Sequence, residues 1–405
     1  MQGKSDHFIS RLRLAVTVGN NHYMLVAVAL MSLAAVIWLG YEFWRLLLQA
    51  SPPGALDLML RSIEIRLWFS GQPIYEIVSS ANYPPASYLL LWPFVGWLDF
   101  IYARWLWALT SCLALAWLID LFLRESRAQT RLEKAFIILI PLATYGAGAC
   151  IGNGQLILHI LPCLCASLLF LEKAEGRWQD DLLASSLFVA ALVKPSVTAP
   201  FFWIFLFRSG RMRPAVLVVC GYIAISLISG SFQDSGIVVL LQDWLARSHE
   251  ELMHYLILFS HGNLHSLLAM LGLESWSPVS SLIVLTALGA WVYLNKKADI
   301  WLLMGVTACV SRFYTYHGWY DDAVLTLPMV VLFRMSKSDM LTAKDRGFAG
   351  LLLALSLAVM IAPGGTYLVP PPWNMVFVAI QSFIFLIILG FLLMHARKCE
   401  MGPGE

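Results

Sequence analysis

Residues Ser51 to Pro85 read SPPGALDLMLRSIEIRLWFSGQPIYEIVSSANYPP, and the reading of the whole chain turns on them. Four charged residues, Asp57, Arg61, Glu64 and Arg66, stand among Leu, Ile, Trp and Phe. Asp57, Arg61 and Glu64 follow i, i+4, i+7, so they form one polar stripe on an otherwise apolar helix. The pattern predicts a helix lying along a membrane surface, its stripe turned toward something wet.

Outward from this stretch, the chain is lipid-soluble. It is 59% hydrophobic and 13% charged, with a mean hydropathy of +0.73. No water-soluble domain of this length needs so much apolar surface, so the composition predicts a polytopic membrane protein. A spanning helix takes about 20 apolar residues. About a dozen runs qualify as candidates: 23–44, 102–123, 135–151, 155–171, 182–193, 196–207, 215–230, 278–294, 300–314, 323–333, 347–361 and 375–394. The expected fold is therefore all-α, of about 12 transmembrane helices in one membrane domain over 1–405. The run at 23–48 is too long for a signal-peptide core and is expected to stay as the first span, in the plasma (inner) membrane.

The linkers sort by charge. Lys4/Arg11/Arg13, Arg124 to Lys134, Lys173/Arg177, Arg208/Arg211/Arg213, Lys296/Lys297, Arg334 to Arg346 and Arg397/Lys398 form a basic set. The positive-inside rule turns that set, and both termini, to the cytoplasm. Outer loops are then 51–85, 231–263, 312–322 and 363–374. Residues 86–98 are apolar but short, follow two prolines and contain Pro93. They are read as re-entrant or as a half-helix packed against protein, since irregular backbone survives in a membrane only where it is buried or lines a wet cavity. The basic linkers lack nucleic-acid features and read as topology signals. Six of the seven cysteines lie in or beside apolar runs and read as small buried hydrophobes.

Polar groups near membrane depth are the first functional suspects. Asp57, just outside the first span, suits a general base that takes a proton from a hydroxyl; an Asp57–Arg61 pair one turn apart is the bland alternative. Lys194, before Pro195 at a helix break, either snorkels or binds an anion. In Gly152-Asn153-Gly154-Gln155, glycines permit close approach, and Asn153 and Gln155 suit sugar hydroxyls or phosphate. The segment Arg312-Phe-Tyr-Thr-Tyr316-His317-Gly-Trp-Tyr-Asp321-Asp322 joins aromatics for sugar rings to Arg and His for phosphate. His261 and His265 are only two ligands, and His249 to His254 has the wrong spacing for a zinc-binding HExxH, so no metal site is expected. Asp321 and Asp322 could hold a divalent ion, though they read first as solvated loop acids.

Taken in order, Asp57, Gly71-Gln-Pro-Ile-Tyr75, Tyr83-Pro-Pro85, Gly154-Gln155, Lys194-Pro195 and the Arg208 to Arg213 basic turn resemble glycosyltransferase family 87, of the multi-spanning GT-C class. The likeness is clearest over Leu56 to Arg213. It implies a sugar, mannose first among hexoses and pentoses, carried on a polyprenyl phosphate and moved with inversion to a hydroxyl of a lipid or glycan acceptor at the outer face. Asp57 would be the base. Lys194, His317 and Arg312 would bind the donor phosphate, with Arg312 chosen on charge alone. Gln155, Asn153, Tyr83 and Tyr316 would contact substrate. No cofactor is implied beyond the donor itself, and the sequence is silent on a divalent metal. The competing expectation is a transporter or flippase for a lipid-linked or small polar substrate, which favours internal repeats and midplane polar groups; no repeat is visible.

Overall fold

A computed structural model describes residues 2–258, 262–315 and 317–396 of the chain; Tyr316 and His261 lie outside them. The described residues form helices joined by short turns, with one isolated bridge between Thr144 and Ile361 as the only extended pairing among them. Among the described residues five helices are long and apolar enough to cross a membrane: His22–Leu47, Phe100–Glu125, Met212–Gly230, Glu274–Leu294 and Trp373–His395. The chain is a helical membrane protein, but the structure does not support a count of twelve spans.

The difference has a physical cause. The expected run at 135–151 is cut at Thr144, whose extended backbone separates helices Arg131–Ala143 and Tyr145–Asn153. The run at 196–207 falls into Pro195–Thr198, a 3₁₀ turn and Phe202–Arg208. Other apolar runs, such as Ile300–Phe313, are buried on almost every residue. A helix apolar all round is buried, and hydropathy does not say whether lipid or protein surrounds it. Residues Pro85–Val95 make an eleven-residue helix that packs on Leu56–Phe69, Phe100–Glu125 and Met212–Gly230.

Chain direction gives the bundle two ends. At one, Arg208 grips Glu172 with two bonds of 2.6 and 2.5 Å and donates to the Ala298 carbonyl at 2.9 Å. Arg334 pairs with Asp299 at 2.6 Å, Lys173 with Glu125 at 2.9 Å and Lys337 with Glu133 at 2.6 Å. The basic linkers from 124 to 337 are thus tied together. Ile157–Lys173 runs toward this end and Trp178–Ala191 runs away from it, as does Ile300–Phe313, while Thr326–Ser336 returns. Gln155, Lys194, Arg312 and Asp321 consequently all reach the opposite end.

The six described cysteines are free. Cys150, Cys165 and Cys309 are buried as expected, but Cys112 and Cys220 are exposed on apolar helices, on the faces left uncovered by protein.

The stripe on Leu56–Phe69 faces inward. Glu64 and Arg61 are buried and pair with each other at 2.7 Å. The Arg61 guanidinium also lies over the Tyr83 ring, 4.5 Å from its centroid, and donates to the Ser80 carbonyl at 3.0 Å. Leu58, Ile65 and Trp68 are buried on the same helix, so it is embedded in protein on most sides rather than laid on a surface.

Candidate active site

The site begins with a backbone clamp. Ala55 adopts a left-handed conformation, φ 50°, and its N–H donates to the Gly152 carbonyl at 3.0 Å. Gly154 closes the Tyr145–Asn153 helix at φ 76°, and a Cβ built there would stand 2.4 Å from Leu58 Cβ. Only a glycine lets the two segments approach this closely. The clamp sets the first turn of Leu56–Phe69 against Gln155, whose side chain is near enough to the Asp57 carboxylate to favour its ionised form. Among the described residues Asp57 has no ion-pair partner, because Arg61 is committed to Glu64.

Lys194 arrives from the other side. Its segment is pinned by Ser87 Oγ donating to the Val193 carbonyl at 2.7 Å, Tyr314 Oη to Ser196 at 2.6 Å and Ser311 Oγ to Val197 at 2.7 Å. Held this way, Lys194 Nζ pairs with Asp321 Oδ1 at 2.6 Å and lies 4.8 Å from the centre of the Tyr320 ring. Its side chain is 13% exposed, so the ammonium is turned into the protein rather than snorkelling to the surface.

Asp321 is the hub. Its second oxygen, Oδ2, is 3.4 Å from His317 Nδ1. Burial alone would raise its pKa, but Lys194 and His317 outweigh burial and hold it at about 2. An ionised carboxylate only accepts hydrogen bonds, so the shared proton sits on His317 Nδ1. Burial also lowers the His317 pKa despite the Asp321 contact, so the ring is neutral and Nε2 is a bare lone pair. That atom is buried with no hydrogen-bond partner among the described residues.

Asp57 keeps a small opening to the surface while burial raises its pKa; Gln155, Arg61 and Lys194 pull it back, and Asp321 pushes it up. Tyr83 feels Lys194, Arg61, Asp321 and Asp57. The structure therefore brings Asp57, Tyr83, Gln155, Lys194 and His317 into one electrostatic cluster. Arg312 adjoins it but is bound to Asp322, which also accepts from Tyr145 Oη; Gln381 Nε2 donates to that same hydroxyl at 2.6 Å. Asn153 stands apart: its Oδ1 accepts from Arg45 Nη2 at 2.8 Å, which ties the first span to the turn. Tyr316 lies outside the described residues.

Asp321 and Asp322 are not solvated loop acids. They are 2% and 1% exposed, because a 3₁₀ turn, Trp319–Leu325, folds them inward onto cations. The i, i+4 spacing of His317 and Asp321 was the available signal for the first of them. Tyr145 and Gln381 carried no such signal. Among the described residues no group of three or more His, Cys, Asp or Glu side chains is arranged to hold a metal ion.

Fold and site together define a helical membrane protein with a half-enclosed carboxylate, a buried lysine–aspartate–histidine relay and flanking aromatics at one end of its bundle. The model of glycosyltransferase family 87 matches residues 82–314, more than half of the chain, and the chain belongs to that family. It is thus a glycosyltransferase. The match begins just before Tyr83 and extends a hundred residues past the Leu56 to Arg213 stretch in which the resemblance is clearest, through the helix that carries Arg312. Asp57 precedes it, and His317 and Asp321 follow it. No curated protein and no solved structure matches the chain.

Proposed function

We propose that the chain transfers a sugar, mannose first among candidates, from a polyprenyl-phosphate carrier to a hydroxyl of a lipid or glycan acceptor. Asp57 is the general base. It takes the acceptor hydroxyl proton as that oxygen bonds to the anomeric carbon from the face opposite the phosphate. The carbon–oxygen bond to phosphate breaks, its electron pair leaves with the polyprenyl phosphate, and configuration inverts. Negative charge grows on the leaving oxygen, so a fixed cation in a poorly solvated site lowers the barrier. Lys194 fills that role. His317, neutral with a bare Nε2, suits a sugar hydroxyl better than the phosphate its position first suggested. Gln155 holds the base, and Tyr83 offers a ring face to the sugar.

The observation carrying this reading is that Arg61 is paired with Glu64 at 2.7 Å, which leaves Asp57 without an ion-pair partner among the described residues. A carboxylate raised by burial and free of a salt bridge is able to accept a proton. Position supports it too. The cluster stands at helix ends remote from the basic linkers, which by the positive-inside rule supports an outward-facing site, with both termini cytoplasmic and the chain in the plasma membrane. A carrier would gather its polar groups near the bilayer midplane.

The test uses the full chain in proteoliposomes with radiolabelled polyprenyl-phosphomannose and a membrane lipid extract as acceptor. Asp57→Asn is expected to lower label transfer by about 10²–10⁴-fold. Unchanged incorporation removes Asp57 from the chemistry.

A further inference from the structure

Beside the catalytic cluster lies a second group of polar side chains that the chemistry above does not use. Asn263 precedes the helix Leu264–Met270, His265 sits on it, and Ser277 opens the helix Ser277–Leu294. Exposures are 4% for Asn263, 3% for His265 and 0% for Ser277. Asn263 Nδ2, His265 Nδ1 and Ser277 Oγ find no hydrogen-bond partner among the described residues, and neither does His317 Nε2. Buried polar atoms are nearly always satisfied, so four orphans together call for an occupant.

The four belong to one neighbourhood. Ser281, one turn past Ser277 on the same helix, touches both the His265 ring and the Tyr314 carbonyl, and the Tyr314 and His317 rings lie 6.2 Å apart between centroids. His265 Nε2 is 2.8 Å from Ser281 Oγ, which gives its own proton to the Tyr314 carbonyl at 2.9 Å. The ring proton therefore sits on Nε2 and leaves Nδ1 bare. Burial pushes His265 down to about 4, so this ring too is neutral. Asn263 has spent its oxygen, Oδ1, on the Ser266 N–H at 2.9 Å and the Ser266 hydroxyl at 3.2 Å.

What remains is one amide donor, one hydroxyl and two acceptor nitrogens. A phosphodiester offers only acceptors to those nitrogens and leaves both unsatisfied. A hydroxyl donates and accepts, and neighbouring hydroxyls on a ring present several such groups at once. We propose that Asn263, His265 and Ser277 form, beside His317, a hydroxyl-binding subsite that seats a sugar or polyol ring of the acceptor. The proposal rests on the transferase reading above and extends it to acceptor choice.

Saturation-transfer NMR on the full chain in phosphatidylcholine nanodiscs tests it, with methyl α-mannoside and myo-inositol as probes. Wild type is expected to transfer saturation to at least one of them. Ser277→Ala and Asn263→Asp, the latter keeping the oxygen that caps Leu264–Met270, are each expected to weaken it about threefold to tenfold, the range of one hydrogen bond. Ser277→Ala removes a hydroxyl with no partner, so its thermal stability stays at or above wild type, and lost binding there is not misfolding. No transfer in wild type, undiminished transfer in both variants, or displacement of the sugar by dimethyl phosphate overturns the subsite. Sugar binding that depends on Ser277 and Asn263 while Asp57→Asn leaves label transfer unchanged supports the subsite and overturns the transferase mechanism.

Discussion

The two ends of the helical bundle carry the same kinds of ion pair in opposite surroundings. At the basic end, Lys173 and Glu125 meet at 2.9 Å with side chains 68% and 21% exposed. At the site end, Lys194 and Asp321 meet at 2.6 Å with side chains 13% and 3% exposed. Exposed pairs are screened by water and contribute little. Buried pairs depend on mutual satisfaction, and removing one partner strands the other in a poorly solvated site. The site end is therefore a coupled unit, in which Lys194, Asp321 and His317 stand or fall together.

The largest contrast follows directly. Lys194→Met leaves Asp321 buried beside a neutral imidazole and is expected to cost about 3–5 kcal/mol, against under about 1 kcal/mol for Lys173→Ala. Denaturant titration of the purified chain in bicelles measures both. The double variant Lys194→Met with Asp321→Leu should recover much of the lost stability, because an apolar pair replaces a buried charged one. It should not recover label transfer. Recovery of both would mean that Lys194 serves the fold and not the leaving phosphate.

A second contrast uses two glycines. Gly210, in the basic end, has φ 65° with open space around it. Gly154 has φ 76° and faces Leu58 at 2.4 Å. Gly210→Ala carries only the left-handed penalty, about 1–2 kcal/mol. Gly154→Ala carries that penalty and an overpacking cost of about 1–3 kcal/mol. It also pushes Asp57 away from Gln155, so label transfer should fall for Gly154→Ala and hold for Gly210→Ala. Equal effects on transfer would show that the clamp does not position the base.

These contrasts mark what was legible in the sequence. Hydropathy gave the membrane class, and the basic linkers gave the end on which Arg208, Lys296 and Arg334 meet. Order along the chain picked out Asp57, Gln155 and Lys194, which the fold brings together. The count of spans was not legible, because Ile300–Phe313 is apolar for the sake of protein neighbours and reads the same as a lipid-facing helix. The inward turn of the Asp57, Arg61 and Glu64 stripe was hidden for a similar reason: spacing defines a face but not what covers it. Asp321 and Asp322 look like surface acids in sequence. Their burial depends on Lys194 and Arg312 arriving from separate helices, a long-range coincidence that no local pattern records. Asn153, picked for its amide, is claimed by Arg45 from the first span.

The smallest effect is the most diagnostic, and it concerns pH. On the proposed mechanism transfer requires the Asp57 carboxylate, and burial raises its pKa above the ordinary aspartate value. As pH falls through that raised value the base is protonated and activity should be lost, so the acid limb is expected above the ordinary aspartate value. Its neighbours do not confuse the limb. Asp321, at about 2, stays ionised throughout; its folded pKa is depressed, so its contribution to stability holds above the unfolded value and fails only as pH drops through the folded one. His317, lowered by burial, stays neutral until more acid conditions than an ordinary histidine. Gln155→Leu removes the amide that favours the Asp57 carboxylate, so the limb should move to higher pH. Lys173→Ala, at the far end of the bundle, should leave it in place beyond one screening length. A limb unmoved by Gln155→Leu would mean that the titrating base is not Asp57, and that the two ends differ in burial without differing in chemistry.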